Sequence, residues 1–525
     1  MHLPLLLSAF AVANGAAANQ FAGIKHTSNT RAVHDYLDRL APASKHAILH
    51  KLMGPTVGSD PGVMVPVVPD PEHPEYTAYW VRDGCRVYHT WLNQLTVPGP
   101  HDDTRLLRAL VDDGVHALIR TQHVVSLSGN IFTGGLEEPV FDIHLDKISD
   151  PTSRIGSPAA DGPPFRAAVL IKYADWLLEP EQNNGTWVAD VLWPAINLDL
   201  QWISSHWNQS SWDLWWPPVW GGSYWTASLQ YRALKAGARL SRTIGRAASA
   251  PEYESHASMI LDYLQTFWNE EGYMSETTIT DVEKGGRSGK GSVPLSVTVL
   301  NFDPSLGCDS ATFQPCSDRA LSSLKVLGDE FKEIFPITER LPPDQPSALF
   351  GAFYEEQIFG GHAHYFATLH ASEQIFDALM TWDLLGELQV TDLSLEFFRQ
   401  FDQNVNIGTY KKGSEVYERL TFALTSWAER TLLFLAEYMP EDYVLTMAID
   451  RTTGLPVGPR GTIHCVVAGI SVYDAYNGLI PPSWARGASG RFSKLPWNDT
   501  LVTDCNVGFG NEAGSGDQFH VGLQV

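Results

Sequence analysis

Apolar residues recur every three to four positions over long stretches of this chain, a spacing that predicts amphipathic helices rather than strands. The pattern predicts helices over Thr30–Met53, Arg82–Gln94, Thr104–Gln122, Phe165–Leu178, Val188–Trp207 and Tyr224–Ile244. It continues over Tyr253–Trp268, Arg319–Phe335, His364–Leu384, Leu393–Phe401, Glu415–Tyr438 and Ile463–Tyr476. Strict alternation of apolar and polar residues, the mark of a half-buried strand, is scarce. The connections are long and rich in Gly, Pro and Trp, as at Asp60–Tyr79, Asp150–Pro164 and Glu283–Asp303. Long loops on a rigid helical frame are where function concentrates. About twelve helices in one chain are expected to pair into a closed double ring.

Composition narrows the partners. The chain has 525 residues, 44% hydrophobic and 18% charged, enough apolar material for a sizeable core. Its formal net charge of -24 repels phosphate backbones and anionic membranes, so neither nucleic acid nor a membrane is expected as a partner. A monomer acting on a small-molecule or saccharide ligand is expected instead. Seventeen Trp residues mostly fill the core, with some left to stack on flat ligands in a pocket.

Leu3 to Ala13 is an apolar run too short to span a bilayer, and Ala16-Ala17-Ala18 follows it as an A-x-A cleavage site. Residues 1–18 therefore read as a signal peptide, and the protein as secreted and extracellular. Sequons at Asn184, Asn208 and Asn498 agree with export. Of five cysteines, Cys308 and Cys316 flank a short polar turn that a disulfide would staple in an oxidising compartment. Cys85, Cys465 and Cys505 remain, so at least one thiol is left over or pairs between chains. No cysteine has zinc-type spacing, and no metal or other cofactor is expected. The segment 485–525 lacks helical periodicity and reads as an irregular tail, with no second globular segment expected after Trp484.

Several segments resemble the fungal glucoamylases, glycoside hydrolase family 15, from about Tyr79 to Trp484. They are Tyr79-Trp80-Val81-Arg82-Asp83, Gly135-Leu136-Glu137-Glu138-Pro139, Asp161-Gly162-Pro163 and Trp207-Asn208-Gln209 with Asp213-Leu214-Trp215. Gln230-Tyr231-Arg232-Ala233-Leu234, Phe302-Asp303-Pro304 and Thr312-Phe313-Gln314-Pro315-Cys316-Ser317 follow, and Asp450-Arg451-Thr452-Thr453-Gly454 and Pro481-Pro482-Ser483-Trp484 close the series. The resemblance implies an (α/α)6 double-ring barrel over 19–484 with a pocket at one mouth, and an inverting exo-hydrolase that releases glucose from α-glucan ends. Such chemistry needs two carboxyl groups ~6.5–9.5 Å apart, one to protonate the leaving oxygen and one to deprotonate the attacking water.

Both positions are changed here. The family's general acid is the Glu after Asp-Leu-Trp, a place taken by Trp216, with Pro217 next. An indole N–H is a donor that does not ionise usefully. The general base lies three residues before the Asp-Arg turn, a place taken by Met447, whose thioether takes no proton. Glu441 and Asp442 lie upstream and would substitute only if the loop were rebuilt. The resemblance assigns ligand binding to Trp80, Arg82, Asp83, Leu214, Trp215 and Glu356, with Glu355 beside it. The family's Arg just upstream is replaced by Ala352, and a Trp before Asp161 by Ile155. These exchanges predict a drier, more apolar pocket.

Histidines enter the same neighbourhood. His362 and His364, two apart, would share one side of an extended segment, and with Glu356 they are the candidate catalytic groups. His144 and His464 lie in adjoining motifs; the four histidines would also suit a metal if folding gathered them. Ordinary hydrogen bonding is the competing account of each. The expectation is a secreted, glucoamylase-like protein whose repurposed pocket acts on a small molecule rather than cleaving α-glucans. The alternatives are a non-catalytic carbohydrate-binding pseudo-glycosidase and a working glucoamylase with displaced carboxylates.

Overall fold

Burial divides the helices into two sets. The structure, a computed structural model, describes residues 27–71, 73–98, 103–148, 159–211, 222–278, 288–342, 345–355 and 360–487. Helices α2 (Val81–Thr96), α4 (Gly162–Leu177), α6 (Tyr224–Thr243), α8 (Val293–Leu300), α10 (Tyr365–Leu385) and α12 (Ile463–Tyr476) are buried over most of their lengths. Helices α1 (Thr30–Ala47), α3 (Thr104–His123), α5 (Trp193–His206), α7 (Ala250–Gln265), α9 (Asp318–Ile334) and α11 (Glu415–Ala436) bury one side and expose the other.

The first set closes a ring. α2 packs on α4, α4 on α6, α6 on α8, α8 on α10, α10 on α12, and α12 on α2. The second set lies outside it: α3 against α2, α5 against α4 and α6, α7 against α6, α9 against α8, α11 against α10, and α1 against α12. Burial follows from this, because an inner helix has neighbours on both flanks and behind, whereas an outer helix has water behind it. The arrangement is the expected (α/α)6 barrel. Two apolar clusters fill the space between the layers, one around α2 to α6 and one around α9 to α12.

Local chemistry starts and stops the helices. The side chains of Asp103, Ser223, Ser317 and Ser414 accept first-turn amide hydrogens at the N-termini of α3, α6, α9 and α11. α10 stops at Gly386, whose φ of 70° suits a residue without a Cβ. Two boundaries differ from the periodicity reading. Leu393–Phe401 contributes only the short turn Leu395–Arg399, while Val293–Leu300 is a full inner helix inside what reads as a long connection. Val-Pro-Leu-Ser-Val-Thr-Val-Leu is apolar almost all round, because every side of α8 is buried, and so it carries no amphipathic signal.

Short strands brace the loops: β1 (Tyr79–Trp80) pairs with β2 (Val140–Phe141), and β4 (Glu387–Val390) with β5 (Gly408–Lys411). β3 (Ala363–His364), β6 (Thr446–Ile449) and β7 (Pro456–Arg460) form a three-stranded sheet with β6 in the centre. The Cys308–Cys316 disulfide is formed, with Cα atoms 4.8 Å apart. Asn208 is exposed and Asn184 half-buried. The signal peptide expected at 1–18, Asn498, Cys505 and most of the expected 485–525 tail lie outside the described residues.

Candidate functional site

All six inner helices begin at the same end of the barrel. Arg82, in the first turn of α2, makes an ion pair with Asp161, the residue before α4. The same Asp161 oxygen accepts the indole N–H of Trp225, from the first turn of α6, at 2.8 Å. Asp83 stands 3.7 Å from the imidazole of His464, the second residue of α12. Phe366, at the start of α10, packs its ring against His364 and His464. The Ser292 amide before α8 donates to the Ala352 carbonyl at 2.7 Å. First turns converge because the parallel inner helices alternate with returning outer ones, so every loop entering an inner helix arrives at one mouth.

Within this mouth Asp83 is 6% exposed. Burial pushes its carboxyl up to about 6, against the pull of the Arg82 and Arg86 guanidinium groups. Burial also holds His464 and His370 well below the ordinary imidazole range, with Arg86 reinforcing both. His370 keeps a hydrogen bond to Ser296 of α8 at 3.2 Å. These imidazoles are neutral near pH 7. Trp80 ends β1, half-buried against the small cluster of Ala78, Val140 and Ile148.

The two candidate histidines take different partners. His364 pairs in β3 opposite Ala448 and faces Phe366. His362 instead accepts the Arg451 amide at 3.2 Å and lies 3.7 Å from Asp450. His144 is far more exposed and bonds Asp60 at 3.1 Å, in a pair that Arg120 completes. His364 and His464 therefore share the mouth, His362 belongs to the Asp450 turn, and His144 to the rim. No group of three or more metal-ligating side chains occurs among the described residues. Glu355 accepts the Ser288 amide at 2.7 Å. Glu356, Leu214, Trp215 and Trp216, with Ile155 and Pro217, lie outside the described residues.

Met447 sits on β6 between buried Thr446 and Ala448, and its carbonyl accepts the Cys465 thiol at 3.6 Å. The carboxylates nearest it in sequence are engaged. Asp450 accepts from the Thr452 amide, the Thr453 amide and the Thr453 hydroxyl, at 2.7–2.9 Å. Asp442 is gripped by Arg460 at 2.6 and 2.7 Å, with Lys51 at 3.4 Å, on the exposed surface. Burial pushes the thiol of Cys465 up to about 11 and that of Cys85 well above its ordinary value, so neither is a thiolate at neutral pH.

Sequence reasoning passed over Arg86, Trp225 and His370. Their signal was spacing. Arg82, Arg86, His89 and Asn93 fall on one face of α2, and Phe366, His370, Glu373 and Asp377 on one face of α10. A polar stripe on a helix buried all round marks the side that faces the barrel axis.

Comparison with known proteins adds to this geometry. The profile for "Glycosyl hydrolases family 15" matches residues 46–464. Glucoamylase-1 of Schizophyllum commune is 35% identical over 502 residues, covering 95% of this chain and 82% of that one. Glucoamylase of Neurospora crassa is 30% identical, covering 87% and 71%. Among solved structures, the family 15 glucoamylase from Hypocrea jecorina superposes with a TM-score of 0.80 at 30% identity, over 88% of this chain and 75% of that one. The Saccharomycopsis fibuligera glucoamylase, at 19% identity and a TM-score of 0.76, shares the fold.

Proposed function

The chain belongs to the family 15 glycosyl hydrolases, and from that premise we propose that its pocket has been turned from cleaving α-glucans to acting on a different small molecule. The observation that carries this is Met447. The resemblance gives it the place of the family's general base, and this reading is supported by a strand whose register is set on both sides and by an adjacent Asp450 bound up in its own turn. A displaced base would have to come from elsewhere; of the two upstream candidates, Asp442 is held by two cations and Glu441 is exposed on the surface. General acid–base assistance contributes about 10²–10⁴ in rate, so losing both groups leaves glycoside hydrolysis near background. The described floor of the mouth is polar, with Asp83 and Arg86 buried in it. The drier character expected from Trp216, Pro217 and Ala352 would therefore be confined to one wall.

The test is glucose release from maltotriose by the purified protein. None is expected, and the double change Trp216→Glu with Met447→Glu should gain it. Release by the unaltered protein, abolished by replacing one named Asp or Glu, would establish a working glucoamylase with displaced carboxylates and end this reading. A second reading, a saccharide-binding protein without turnover, is favoured by the retained Trp80, Arg82 and Asp83. Calorimetry with maltose distinguishes it by binding heat without product. No described helix is long and apolar enough to cross a membrane. The Cys308–Cys316 bridge supports export to an oxidising compartment, with glycans at Asn184 and Asn208.

A further inference from the structure

Among the described residues three guanidinium groups are buried, and two of them have their partners. Arg166, 1% exposed, holds Asp199 side-on, with Nε to Oδ2 at 2.9 Å and Nη2 to Oδ1 at 2.5 Å. Arg232, 3% exposed, donates to the Leu300 carbonyl at 2.6 Å and to Asn301 at 3.1 Å, and meets His89 at 2.9 Å. Arg86 is equally buried at 3%, yet its Nε and Nη2 have no acceptor among the described residues. Trp225 lies 4.8 Å beneath the guanidinium, which serves its flat face but leaves the edge N–H groups unmet. Nε and Nη2 are the two nitrogens with which Arg166 grips a carboxylate. The two unserved N–H groups at Arg86 lie on the edge of a guanidinium that matches two oxygens of one planar group.

Position sets this unserved edge just below the mouth. Arg86 lies one turn below Arg82 on the same face of α2, over the Trp225 ring that holds Asp161, which in turn holds Arg82. Its electrostatic neighbours are Asp83 and Asp161 at the mouth, His464 and Cys465 on the adjoining inner helix α12, and His370 on α10 beyond it. Only a side chain near the barrel axis meets all of these.

Resting on the reading of the pocket given above, we propose that the ligand is sugar-sized and carries an anionic two-oxygen group, a carboxylate or a phosphate, seated on the Nε–Nη2 edge of Arg86. The residues that hold a neutral glucose in the family stand one turn above, so the body of the ligand would rest against Trp80, Arg82 and Asp83 while its anionic arm reaches down. The charged and titratable groups that act on this point are Arg82, Asp83 and Asp161 from the mouth, His370, His464 and Cys465 from α10 and α12, and Glu373 from deeper in the barrel. Burial raises the Asp83 carboxyl to about 6, so below that pH it accepts a proton and does not repel an incoming anion.

The experiment is calorimetry on the full protein at pH 5 with four probes: glucuronate, glucose 6-phosphate, glucose and maltose. At least one anionic sugar is expected to bind about 10- to 100-fold tighter than glucose, the span of a hydrogen-bonded charge. Arg86→Met should erase that preference with an unchanged circular dichroism spectrum, and Arg86→Lys, which keeps the charge but not the two-nitrogen edge, should restore only part of it. The stronger of the two anions identifies the group as carboxylate or phosphate. Anions binding no better than glucose, or a preference that survives Arg86→Met, overturn the inference while leaving the repurposed pocket standing. Glucose release from maltose overturns the reading beneath it.

Discussion

The two ends of the barrel bury similar chemistry and treat it differently. At the end where the inner helices finish, Lys172 reaches His89 and Asn93, Arg232 reaches His89, Leu300 and Asn301, Glu373 accepts from Ser471 at 2.8 Å, and Asp474 accepts from Gln94. A cavity of about 40 Å³, enough for a water or two, lies among them. At the end where the helices begin, Arg82 is satisfied by Asp161 while Arg86, one turn deeper, is left with an empty edge. A buried charge that has its partners holds a structure together; a buried charge without them is costly.

Removing Arg166 would break the comparison hardest. Arg166→Met strands the fully buried Asp199, and a loss of about 3–5 kcal/mol in chemical denaturation is expected, as for other broken buried pairs. The closed end should next show itself in pH. Burial raises Glu373 and, beside it, Asp377 above the carboxylate range. The folded state therefore holds protons that the unfolded state releases by pH 4.5, at 3.8 for Asp377 and 4.5 for Glu373. Their contribution is complete below that pH and is lost as the pH rises, by at most ~1.4 kcal/mol per proton per unit. Thermal scans should show stability falling above pH 4.5, and Glu373→Gln should flatten the fall; a rise with pH would refute the assignment. At the mouth the sign reverses: Arg86→Met should stabilise the unliganded protein by about 1–2 kcal/mol, since no hydrogen bond is lost and a desolvated charge is removed. Destabilisation by Arg86→Met would show that the edge is served after all. The smallest effect belongs to the rim, where His144→Ala breaks an exposed contact with Asp60 and should move stability by no more than ~0.5 kcal/mol.

Most of the frame is legible in the sequence because an outer helix must be wet on one side. α3, α9 and α11 each show that asymmetry and start at a polar cap where the pattern begins. The inner ring is harder to read. α8 has no wet side, so its eight residues pass for a loop, and α10 and α12 are found from their length rather than their contrast. The site is legible in part. Arg82 and Asp83 stand out through the motif that resembles the glucoamylases, and Met447 through the carboxylate that the resemblance leads one to expect in its place. Arg86 does not, because one arginine near a cysteine looks like any other until the partners of Arg166 and Arg232 are seen beside it. His362 and His364 mislead for a related reason: two-residue spacing predicts one shared side, but β3 covers only Ala363 and His364, and His362 turns away to Asp450.

The ring is joined by α12 meeting α1 and α2, and the seam is held by contacts between residues hundreds of positions apart. Gln94 bonds Asp474 across a sequence separation of 380, and Thr30 bonds Glu429 across 399. Trp484 donates to the Asn301 carbonyl at 2.9 Å, and Pro481 and Pro482 cover the cavity beside it. While the chain emerges from the ribosome, α2 therefore presents to solvent the apolar flank that α12 later covers, and the ring closes only once the last helix has been made.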